Sequence, residues 1–82
     1  MSVSDLTCSK VSDALDSYWH QHHIAPTVRE VMFLTGINSS SMVSLAYEKL
    51  AHRGEVRMLG KGRARAAIPA WVDDMFNKHQ GD

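Results

Sequence analysis

The chain has 82 residues, room for one small domain, and this excludes a multi-domain enzyme. It is 44% hydrophobic and 22% charged with only two prolines, a composition that excludes disorder throughout. Nine basic residues balance nine acidic ones, so net charge gives no support to nucleic-acid binding.

The first predicted helix runs from Asp5 to His22. Val11, Ala14, Leu15, Tyr18 and Trp19 fall on one stripe of it. It ends in the histidine cluster and at Pro26, because the residue before a proline is pushed out of helical geometry. Cys8, the one cysteine, excludes an intrachain disulfide and a multi-cysteine zinc site. It reads as a small inert residue, and a reducing cytoplasm is the compartment expected. The N-terminus has no basic segment followed by an apolar run, and nothing approaches the roughly 18 apolar residues of a membrane span, so no membrane role is expected. His20, His22 and His23 read as a solvated cluster and not a metal site, since neighbours two apart on a helix do not face each other.

Thr27-Val28-Arg29-Glu30 is a capping box, in which the hydroxyl and the carboxylate reciprocally satisfy backbone N–H groups at a helix start. The short second helix is expected to turn Val28, Val31, Met32 and Leu34 inward and to stop at Gly36. Ile37 then plugs the core, and a third helix opens within Asn38-Ser39-Ser40-Ser41, capped by Ser39 or Ser40. Its inward stripe is Val43, Ala46 or Tyr47, and Leu50, and it ends at Arg53-Gly54.

The period changes next. Residues 55–59 alternate polar with apolar, Gly60-Lys61-Gly62 turns, and residues 63–68 return, which together predict a β-hairpin. From Lys49 to Arg65 six basic residues stand against Glu55 alone, so a neutral chain can still present a basic face. After Pro69, Trp71, Val72, Met75 and Phe76 mark a short amphipathic helix over about residues 70–79. It either packs back on the other helices or forms a dimer contact through these four residues. A domain this small buries only about 60–65% of its unfolded surface, so self-association is expected to help it.

The predicted fold is mainly α with a small β-hairpin, as one domain over residues 1–82 with a core at about 5–69. Three helices and a hairpin make a winged helix-turn-helix. In such a unit the first helix of the pair braces on the backbone and the second enters the major groove, about 12 Å wide.

The stretches Ile24–Val31, Thr35-Gly36-Ile37, Ser39–Ser41 and Leu50–Arg57, with Arg63-Ala64-Arg65-Ala66, resemble the N-terminal DNA-binding domain of the LexA repressor family. The resemblance covers about Val11 to Ile68 and implies a winged helix that binds operator DNA as a dimer. It does not extend to that family's self-cleaving protease domain, so a stand-alone reader is expected.

By position, the third helix would offer bases Asn38, Ser39, Ser40, Ser41, Met42, Ser44 and Leu45. Thr27, Arg29, Lys49, Arg53, Arg57, Lys61, Arg63 and Arg65 would meet backbone or serve as the wing. The base-facing set is short or apolar, which suits a modest or AT-rich preference.

The function expected is a bacterial or phage-type transcriptional regulator, a repressor that occupies its operator on double-stranded DNA as a homodimer. The alternative is a protein-interaction module, an antirepressor or adaptor, that turns Met42, Leu45 and Trp71 toward a protein partner. No nucleophile, base and orienting group stand together and no phosphate loop appears, so neither an enzyme nor a cofactor is expected.

Overall fold

The computed structural model describes the backbone of residues 3–59 and 66–80 and the side chains as far as Met75. Four helices and one hairpin follow in order: α1 (Asp5–His22), α2 (Val28–Thr35), α3 (Ser40–His52), β1 (Val56–Leu59), β2 (Ala66–Pro69) and α4 (Ala70–Gln80). The chain is therefore mainly helical with a two-stranded antiparallel sheet.

Each helix begins and ends where its local chemistry allows. Ser4 caps α1 by accepting the N–H of Thr7 at 3.1 Å. The helix closes at His23, a non-glycine residue in left-handed geometry with φ 58°, whose N–H reaches the Trp19 carbonyl. The capping box at the start of α2 is complete. The Thr27 hydroxyl accepts from the Glu30 N–H at 3.1 Å, and the Glu30 carboxylate accepts from the Thr27 N–H at 3.4 Å. Gly36 ends α2 at φ 77°, a conformation glycine takes without a Cβ penalty. Removing this cap is expected to be felt. Thr27→Ala should cost about 1 kcal/mol in a urea melt, the usual loss for a cap hydroxyl.

The core is one cluster. α1 contributes Cys8, Val11 and Leu15, α2 Val31, α3 Val43, Ala46, Tyr47 and Leu50, and the hairpin Val56 and Ala67, with Val3 closing one end. Burying aliphatic side chains of this size contributes roughly 1.5–3 kcal/mol each. The α1 stripe starts one turn earlier than the periodicity suggested, at Cys8, and Tyr18 and Trp19 are only half-buried. Leu34, expected inside, is 52% exposed. An eight-residue helix rests on the core along a narrow line, and Val31 occupies it with Val28 and Met32 beside it.

In the hairpin, Val56 pairs with Pro69 and Leu59 with Ala66. This register returns the chain to the base of β1 just as α4 begins. There the Ala70 N–H donates to the Glu55 carbonyl at 3.0 Å. α4 packs back on the molecule. Val72 is buried, and the Trp71 indole N–H donates to the Asp16 carboxylate of α1 at 2.8 Å.

Candidate nucleic-acid interface

α2 is followed by the Gly36 turn and then α3, and the start of α3 is accessible. Ser39 caps the helix, its hydroxyl accepting the Met42 N–H at 3.3 Å. Around it Asn38, Ser40 and Ser41 are exposed, and Ser44 is half-exposed one turn on. The free N–H groups of the first helical turn and three short polar side chains therefore share one surface. Met42 and Leu45 stand differently. Both are half-buried and pack against the core, so less of each side chain reaches solvent than an exposed apolar face would require.

The basic residues are the larger departure from expectation. Lys49 bonds the Asp5 carboxylate at 3.1 Å and the Val3 carbonyl at 3.2 Å. Arg53 lies 3.7 Å from Asp5 and 2.7 Å from Glu55. Arg57 reaches Asp73 at 3.5 Å and Asp74 at 3.6 Å. Acids distant in sequence thus fold onto the basic run. The signal was the register: once Val56 opposes Pro69, the first turns of α4 must lie beside Arg57. Such exposed pairs contribute about 0–1 kcal/mol each and exchange readily with other anions.

Lys61, Arg63 and Arg65 lie outside the described residues, as does the side chain of Phe76. Arg29 is exposed and sits on a different surface, the groove between α1 and α2. Thr27 is engaged in its capping box. Of the side chains expected at a dimer contact, Val72 is corrected: at 2% exposure it belongs to the interior of its own chain. Trp71 is 40% exposed, bonded to Asp16 and set 5.4 Å from the His20 ring, while Met75 is open at 53%.

The histidines are held separately. The His22 ring lies 4.4 Å from Tyr18, His23 packs edge-on to Trp19, and a His20 ring nitrogen contacts the Asp16 carbonyl. Among the described residues no cluster of His, Cys, Asp or Glu is placed to hold a metal ion. Nor, among them, is any helix long and apolar enough to cross a membrane.

Two carboxylates are held below their ordinary range. Asp5 is lowered chiefly by its hydrogen bond from Lys49, with the charges of Lys49 and Arg53 adding to it. Glu30 is lowered chiefly by the Tyr18 hydroxyl, which donates to it at 2.7 Å and is itself raised by that bond. A carboxylate with a depressed folded pKa stabilises the fold at pH values above its unfolded pKa. That contribution is lost as pH falls through the folded value. Melting temperature should therefore drop in acid below the ordinary carboxylate range, and Tyr18→Phe should flatten the drop when melts at neutral and acid pH are compared.

No protein-family model matches this chain, and neither the curated proteins nor the solved structures gave a significant match.

Proposed function

We propose that this chain is a winged helix-turn-helix protein that binds double-stranded DNA as a transcriptional regulator, with α3 as the recognition helix and β1–β2 as the wing. The observation that carries the reading is the helix pair itself. α2 is capped at Thr27 and stopped at Gly36, and α3 then opens at Ser39 with Asn38, Ser40 and Ser41 exposed around its free N–H groups. A helix start of that kind favours phosphate oxygens, and short hydroxyls can reach base edges in a major groove. The resemblance of residues 24–57 to the LexA DNA-binding domain supports the same assignment. Regulation would be repression by occupancy, with a homodimer placing two α3 helices about 34 Å apart along the duplex.

A second reading, a winged-helix module whose partner is a protein, has one specific observation in its favour. Lys49, Arg53 and Arg57 are all paired with acids of the same chain, which lowers the positive potential a duplex would meet.

A titration against random-sequence and AT-rich duplexes at two salt concentrations separates the two. Under the DNA reading, affinity falls steeply with salt and the AT-rich duplex binds more tightly. No binding at low salt, where attraction to phosphate is strongest, would discard it in favour of the protein partner.

A further inference from the structure

We infer that the first turn of α4 is a built-in brake on duplex binding, whose two carboxylates occupy the arginine of β1 while a latch on α1 keeps them there. The brake regulates the duplex surface proposed above and rests on that reading. Arg57 is engaged along one edge of its guanidinium, with Nε 3.5 Å from an Asp73 oxygen and Nη2 3.6 Å from an Asp74 oxygen. A phosphate takes a guanidinium through two nitrogens in the same way, so the acids fill the place a phosphate would need. Both distances exceed the roughly 2.7–2.9 Å of a tight charge-assisted bond. More than a third of each of the three side chains is exposed, so the ion pairs alone hold the acids loosely.

The tighter hold on this turn comes from α1. The Trp71 indole N–H donates to the Asp16 carboxylate at 2.8 Å, and its ring lies 5.4 Å from that of His20, one turn further along α1. Val72 beside it is buried, and the Ala70 N–H is bonded to the Glu55 carbonyl at 3.0 Å. The backbone bond at Ala70 is thus a pivot at the head of α4, and the half-exposed indole bond is the tie that can open. Trp71 and Asp74 are three residues apart and share one side of the helix, so a turn that leaves Asp16 carries Asp74 away from Arg57. Docking of α4 and binding of a phosphate draw on the same guanidinium and oppose each other. Linkage makes the opposition reciprocal: loosening α4 raises duplex affinity, and a bound duplex loosens α4 by the same factor.

Trp71→Phe tests the latch, because it keeps an aromatic ring and the net charge and removes only the donor to Asp16. Titrated with a random-sequence duplex at low salt, the full chain carrying it should bind about three- to fivefold more tightly than wild type, with unchanged helical circular dichroism. Hydrogen exchange of the α4 amides should quicken in this variant without DNA, and in the wild type when duplex is added. Asp73→Asn with Asp74→Asn should tighten binding at least as far, and adding Trp71→Phe to that pair should gain less than about twofold more, since the latch then has no acids to hold in place. Equal affinity of wild type and Trp71→Phe, a full second gain in the triple variant, or α4 exchange that the duplex leaves unchanged would each overturn the brake and leave the DNA reading standing. Failure of every variant to bind duplex at low salt would overturn both.

Discussion

Tyr47→Phe is expected to stabilise the protein by about 1 kcal/mol, and Tyr47→Ala to cost about 3–5 kcal/mol. Tyr47 sits in the middle of α3 with no exposed surface, and its ring is the largest fully buried side chain of the core. Its hydroxyl has no hydrogen-bond partner among the described residues. Burial alone pushes its pKa up to about 12, so the group stays neutral at any ordinary pH while still missing the water it gave up on folding. Phenylalanine keeps the ring and its contacts and removes the unsatisfied oxygen. Alanine removes the ring and leaves a cavity in the core.

A chain of this size has a total stability of only about 4–12 kcal/mol, so the alanine variant should lose from about a quarter to all of it. The phenylalanine variant should melt about 4–8 °C higher. Urea titrations followed by circular dichroism measure both. A loss of stability in Tyr47→Phe would show that the hydroxyl is bonded in solution and would remove the basis of the prediction.

What the sequence made legible was local. The ends of α2 and the start of α3 are written in Thr27 with Glu30, Gly36 and Ser39, because each of these acts on backbone groups within three or four residues of itself, and the Ser4 cap of α1 was not read. The stripe Val43, Ala46 or Tyr47, and Leu50 was equally readable, since a 13-residue helix turns often enough to define one face, and the structure buries both alternatives.

The eight residues of α2 do not define one, and Leu34 was placed inside although it lies at the rim of the α1–α2 groove. Periodicity states which face of a helix is apolar and says nothing about what meets it. The Tyr18–Glu30 bond, the Trp71–Asp16 bond and the pairing of Arg57 with α4 all depend on tertiary approach, across as many as 55 residues for Trp71 and Asp16. For the same reason the basic run from Lys49 to Arg65 looked bare in sequence. Its counter-charges, Asp5, Asp73 and Asp74, lie outside that segment and reach it only in the folded chain. Phe33 was left out of the inward set of α2, and sequence pattern gave no sign of how fully it is exposed.

The two sides of the Arg57 ion pair give opposite expectations for DNA binding, and this is the largest functional effect foreseen. Arg57 stands in β1, half-exposed at the base of the hairpin, with the carboxylates of Asp73 and Asp74 within 3.6 Å. If the hairpin is a wing, a phosphate must compete with those carboxylates for the guanidinium. The competition is close, because an exposed pair is worth no more than about 1 kcal/mol. Asp74→Asn removes one competitor without changing shape. It should tighten binding to any duplex severalfold and steepen the salt dependence by about one unit in the log–log slope.

Arg57→Glu should do the reverse and more strongly. It replaces one attraction to phosphate with a repulsion and adds a third acid to the cluster, so affinity at low salt should fall by a factor on the order of 10 to 100. Both changes act at the surface, and the folded fraction of each variant, followed by circular dichroism, separates any effect on stability from an effect on binding. Under the protein-partner reading the two substitutions would have no such opposed signature in duplex binding. Two unchanged salt slopes would therefore remove Arg57 from the interface and leave the start of α3 to explain any remaining affinity.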